Sequence, residues 1–236
     1  MEPNNNSNNS NNSDNSNNSD NSSDLNNLNV REKNNGENKF LRWIRTYMYG
    51  IVKVPTQFAI KNNINMCCGI GYLAIKHKEH LISAYLENNF EKYSKIFSIL
   101  IKIASERKLS NPEIRIEGEF IDEITIKNDF SEICSNMEYF EFIIGEFFED
   151  NKKNIETIDK LVQDLTEYNP IIICKDVNIF VIFKLNNDEF LIVDSHIPFH
   201  GIIHKDKIIN YLTWEGNFNG IITLGCYKSN NQDIGN

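Results

Sequence analysis

The sequence predicts an α+β domain in which N-terminal helices pack on a C-terminal antiparallel sheet. Two textures carry that expectation. Between about residues 68 and 166 apolar side chains recur mostly at helical spacing, whereas between 170 and 227 they fall in short runs rich in Ile, Val and Phe. A third observation bounds the domain. From Met1 to about Asp24 nearly every residue is Asn, Ser or Asp, and "LNNLNVREKNNGEN" is hardly less polar. Such a stretch cannot offset a backbone ordering cost of roughly 1–2 kcal/mol per residue. Residues 1–38 therefore read as a disordered Asn/Ser-rich tail, 39–228 as one folded domain and 229–236 as a disordered C-terminus.

The elements follow in order. "KFLRWIRTYMYGIVKV" (39–54) is the first segment with apolar content worth burying, and Pro55 ends it. The Asn cluster in "TQFAIKNNINM" predicts a loop. From Cys68 to about Leu86, Ile70, Leu73, Ala74, Leu81 and Tyr85 give one helical stripe, and Phe90, Tyr93, Phe97, Leu100, Ile101 and Ala104 give a second. Residues 129–149 and 155–166 read as two further helices. "PIIIC", "NIFVIFKL" and "EFLIVDSH" read as strands, the last two joined by a hairpin turn at "NNDE". A short helix at about 203–212 and a last strand, "GIITLGCY", complete the domain.

A formal charge of −9, from 33 acidic and 24 basic residues, argues against nucleic acid as a partner and is compatible with a basic protein partner. The five cysteines (67, 68, 134, 174 and 226) show no CxxC spacing and suit free thiols in a reducing compartment. There is no signal-peptide layout, and no apolar run approaches the ~18–20 residues that span a bilayer. The expectation is a cytoplasmic or nucleocytoplasmic monomer that binds neither membrane nor nucleic acid.

Asp194 and His196 are the first candidates for chemistry. On a strand, residues two apart share a face roughly 6.5–7 Å apart, so the carboxylate can orient the imidazole and favour its protonated form. Turn chemistry at "DSH" is the competing explanation. His200 and His204 lack a carboxylate two residues earlier and read as surface residues, with metal binding as an outside alternative. Cys68 follows an Asn-rich loop and opens a helix, where the dipole favours thiolate. Gly69 and Gly71 leave room for a substrate backbone. Helical phase puts Cys67 nearer the apolar stripe, so Cys68 is the expected nucleophile and Cys67 a small buried side chain. Gln57, in the preceding loop, can donate its amide to an oxyanion. These are the parts of a cysteine hydrolase.

The arrangement resembles the herpesvirus large tegument protein deubiquitinases. It has a loop Gln (Gln57), then a Cys opening a helix with Leu at its fifth following position ("CGIGYL", Cys68 to Leu73). It ends in a strand carrying Asp-x-His ("FLIVDSH"), preceded by "NIFVIFKL" and followed by "KDKIINYLTWEGNFNGIITLGCY". The residue before the Cys departs from the family, being a second Cys, which leaves the nucleophile open by one position. The region 90–165 matches no pattern of the family. The resemblance implies a papain-like fold, cleavage after the C-terminal glycine of ubiquitin or ubiquitin chains, and no metal or organic cofactor. It assigns Cys68, His196, Asp194 and Gln57 as catalytic. The alternatives are a papain-like peptidase for another ubiquitin-like modifier or short peptides, and a non-catalytic ubiquitin-binding or scaffold domain.

Overall fold

The structure, a computed structural model, describes residues 42, 46–60, 66–107, 130–145, 151–175, 178–213 and 220–227. The expected tails, 1–38 and 229–236, lie outside the described residues. The chain divides between Arg42 and Trp43, and apart from Arg42 the described residues belong to the unit Trp43–Asn236.

Strand β1 (Met48–Lys53) leads through a 3-10 turn (Gln57–Ala59) to three helices: α1 (Cys67–Lys76), α2 (Lys78–Leu86) and α3 (Phe90–Glu106). A short helix α4 (Ser131–Ser135), strand β2 (Met137–Ile144) and helix α5 (Asn151–Asp164) follow. The remainder is β3 (Pro170–Lys175), β4 (Asn178–Lys184), β5 (Glu189–Val193), β6 (Phe199–His204), α6 (Lys205–Thr213) and β7 (Gly220–Tyr227). The described strands form one antiparallel sheet in the order β1-β6-β5-β4-β3-β7-β2. The fold is α+β.

Several elements differ from the sequence reading. The helix expected from Cys68 to Leu86 breaks at His77, whose φ of −112° and ψ of 21° leave the helical region. The helix expected over 129–149 is only five residues long before the chain becomes β2. "MEYFEFII" pairs residue for residue with β7, from Met137 opposite Tyr227 to Ile144 opposite Gly220. Strand β6 falls beyond the strand read at "EFLIVDSH" and runs into the helix expected from about residue 203. The sheet thus draws its two edges, β1 and β2, from the N-terminal half of the chain and the segment just beyond it.

Both faces of the sheet are covered. On one face Ile172, Cys174, Val181 and Phe183 pack with residues of α1, α2 and α3 such as Tyr72, Leu81, Tyr93 and Phe97. Their neighbours Ile171, Ile173, Phe180 and Ile182 point the opposite way and are also buried, and the Phe180 ring meets Tyr211 of α6 edge-on at 5.7 Å. Strands covered on both sides need continuous apolar runs, which is what "PIIIC" and "NIFVIF" supply. Each large side chain so buried contributes about 1.5–3 kcal/mol.

Helix α1 sits deepest. All residues from Cys67 to Ile75 are buried, and the helix packs on β4. Gly71 permits that approach, because a Cβ there would lie 3.2 Å from Val181 Cγ2. This glycine serves helix-to-strand packing and not the room for substrate expected from the sequence.

Candidate active site

Three chain segments meet where β5 ends. The first is the turn Asp194–Pro198 between β5 and β6. Asp194 and His196 lie in this turn and not on the strand expected for them. One carboxylate oxygen, Asp194 Oδ1, accepts both the His196 backbone N–H at 2.9 Å and an interaction from His196 Nδ1 at 2.6 Å. Turn chemistry and imidazole orientation, which read as alternatives in the sequence, are performed by the same oxygen.

The second segment is the loop after β1. Val54 N–H donates to Pro198 O at 3.0 Å and Gln57 N–H donates to Ser195 O at 2.8 Å, so main-chain bonds tie this loop to the His196 turn. The Gln57 side chain is 1 % exposed, and its Oε1 accepts the Met66 N–H at 3.0 Å. That bond satisfies an amide at the mouth of α1. It also orients the amide, leaving Nε2 as the donating end. Phe58, half exposed, holds its ring 6.1 Å from the imidazole of His196.

The third segment is the N-terminus of α1. Helix α1 begins at Cys67, one residue earlier than expected. The sequence reading points to Cys68, but the thiol that acts on the charge of His196 is that of Cys67, while the buried His196 Nε2 has no hydrogen-bond partner among the described residues. The Cys67 sulfur accepts the Ile179 N–H at 3.3 Å. Cys68 is fully buried and acts electrostatically on Tyr72 and Tyr139, whose hydroxyls lie 3.3 Å apart. Adjacent residues on an α-helix point about 100° apart, so only one of the pair can face the turn. Both thiols are buried in the core, and because α1 is buried on every side its apolar stripe carries no phase information to choose between them.

Electrostatically, burial alone would lower the His196 pKa. The Asp194 charge and hydrogen bond, followed by Cys67, more than reverse this and raise it to about 10. The ring is therefore cationic at neutral pH. Burial, with a smaller contribution from the Asp194 charge, keeps the phenol of Tyr211 on α6 protonated.

His200, expected at the surface, is 0 % exposed. Its Nδ1 lies 2.8 Å from the Tyr93 hydroxyl and its Nε2 lies 3.1 Å from both the N and the O of Asp194. No sequence signal marks it, since its partners are a tyrosine on α3 and a stretch of main chain. His204 is exposed, as expected, and pairs with Asp206. Among the described residues no group of three His, Cys, Asp or Glu side chains is arranged to hold a metal ion, and no helix is long and apolar enough to cross a membrane. A surface groove of about 640 Å³ opens between β1 and α3, lined by residues including Pro55, Phe90 and Ile99. None of its lining residues belongs to the Gln57, Cys67, Asp194 and His196 constellation.

No protein-family model and no curated protein matches the chain. Among solved structures, the chain is similar to the ubiquitin-specific protease encoded by murine cytomegalovirus tegument protein M48, solved in complex with a ubiquitin-based suicide substrate. The TM-score is 0.41 at 10 % identity, covering 78 % of this chain and 89 % of that one.

Proposed function

We propose that the chain is a cysteine protease that cleaves after the C-terminal glycine of ubiquitin, with Cys67 as nucleophile. The observation that carries the reading is the convergence of one thiol, one carboxylate-bound imidazole and one buried glutamine amide at the mouth of a helix. Motif resemblance supports ubiquitin as substrate.

In the first half-reaction the Cys67 sulfur attacks the scissile carbonyl carbon, and the carbonyl electrons move onto oxygen. A protonated imidazole and a helix N-terminus both stabilise the attacking sulfur as an anion. The Gln57 amide and the backbone N–H of Cys67 hold the oxyanion. As the intermediate collapses, His196 gives its proton to the leaving amine and a thioester remains. Water then attacks the thioester, its proton passes to His196, and the sulfur leaves. Asp194 keeps Nδ1 engaged throughout, so that Nε2 is the nitrogen that exchanges protons.

A ubiquitin probe with a thiol-reactive C-terminus tests the reading. Covalent capture through Cys67 is the expected result. Capture only by the probe of another modifier would reassign the substrate, and no capture by any of them would remove the protease.

A further inference from the structure

We propose that His200 is a positioning residue, one that fixes the main chain of Asp194 and thereby holds the Asp194–His196 pair in its working arrangement. The proposal rests on the protease reading for its kinetic consequence but not for its geometry.

Asp194 lies one residue beyond the end of β5, where ladder hydrogen bonds give way to the turn. Its backbone N and O both lie 3.1 Å from His200 Nε2. Burial drives the His200 pKa down to about 4, against a smaller opposing effect of Asp194, so the ring is neutral. A neutral imidazole has one donor and one acceptor nitrogen. In one tautomer Nε2 accepts the Asp194 N–H and Nδ1–H donates to the Tyr93 oxygen. In the other, Nε2–H donates to the Asp194 carbonyl and Nδ1 accepts the Tyr93 O–H. Tyr93 is fully buried and its pKa is raised by burial, so its phenol is neutral and serves either role. In both states the Asp194 main chain is anchored to α3.

The ring itself cannot drift, because Phe97 meets it edge-on at 4.3 Å and Tyr93 at 5.7 Å. Any buried imidazole needs partners for both nitrogens; what sets His200 apart is which groups it holds. Here the anchored main chain belongs to the residue whose carboxylate grips His196. Displacement of a catalytic group by about 1 Å costs roughly 10²-fold in rate.

The test uses His200→Phe, which keeps an aromatic ring against Phe97 and removes both nitrogens, and Tyr93→Phe, which removes only the hydroxyl. The titration of His196 is followed by NMR of the full chain, together with kcat and KM on a ubiquitin C-terminal fluorogenic substrate. The groups facing His196 are Asp194 from its own turn and Cys67 from α1, with Phe58 as an apolar neighbour and Tyr211 beyond Asp194. The variants leave all of these in place.

In folded His200→Phe the His196 titration should fall toward the ordinary histidine value, and kcat should drop roughly 10²-fold with KM unchanged. Tyr93→Phe should move both in the same direction by less. An unchanged His196 titration in folded His200→Phe would reduce His200 to core packing; if that variant does not fold, an unchanged titration in Tyr93→Phe leads to the same conclusion. The NMR readout does not depend on activity. A wild-type chain that ignores ubiquitin while His200→Phe still shifts His196 would overturn the protease reading and keep the positioning role.

Discussion

Ile179 donates its backbone N–H to the sulfur of Cys67 at 3.3 Å, so the thiol that acts on the charge of His196 is held against strand β4. A backbone donor aimed at sulfur favours negative charge there. Cys67→Ala should abolish capture by the reactive ubiquitin probe. Cys68→Ala should retain it, at a stability cost of about 1 kcal/mol. Intact-mass spectrometry of each variant after probe treatment decides between them; labelling of Cys67→Ala would return the nucleophile to Cys68.

Asp194→Asn separates orientation from turn geometry. The amide oxygen can still accept the His196 N–H, so the turn should survive. The imidazole, however, would face an amide NH₂ or lose its fixed tautomer, and in serine proteases the equivalent change costs about 10⁴-fold in turnover. Steady-state kinetics should show a loss of that order in kcat with an unaltered circular dichroism spectrum. Wild-type turnover would leave Asp194 as a turn residue only.

Gln57 carries two duties that substitutions can split. Gln57→Glu keeps an oxygen for the Met66 N–H but removes the amide donor, so turnover should fall roughly 10²–10³-fold while the thermal midpoint holds. Gln57→Ala should lose both, adding about 1–3 kcal/mol for the buried, unsatisfied Met66 N–H. If the two variants share one melting temperature, the side-chain bond to Met66 contributes nothing to the fold.

Stability should depend on pH through His196. Its folded pKa of about 10 exceeds the ordinary histidine value of about 6.5. The folded state thus holds the proton more tightly than the unfolded state. The contribution of the Asp194–His196 pair is complete below about pH 6.5 and is lost as the pH rises through about 10. Thermal midpoints measured across that window should fall further in the wild type than in Asp194→Asn. Parallel curves for the two proteins would show that the pair does not stabilise the fold.

Much of this was legible in the sequence, for physical reasons that also mark where legibility stops. The strands β3, β4 and β7 announce themselves because a sheet covered on both faces needs unbroken apolar runs. Strand β2 does not, since it is an edge strand whose buried positions Met137, Phe142 and Ile144 are interleaved with exposed glutamates. Its aromatic and acidic residues fit a helix as readily as a strand. The pairing of Asp194 with His196 could be read from residue type and spacing. The proposed choice of Cys67 over Cys68 needed a helical phase that a helix buried on all sides cannot provide. His200 was invisible because its partners, the Asp194 backbone and a tyrosine 107 residues away, leave no local pattern.

Strand β1 lies beside β6, with Met48 opposite Ile203, and that pairing sets a timetable. Contacts between distant segments form only after a large loop has closed, and they slow folding. On the ribosome the first strand and both neighbouring cysteines emerge long before the turn that holds the imidazole has been synthesised. A nascent chain therefore carries its thiol without a base and its glutamine without the Ser195 carbonyl that anchors it. The proposed protease stays silent until the turn Asp194–Pro198 and strand β6 have been made, a delay written into the strand order and independent of any inhibitor.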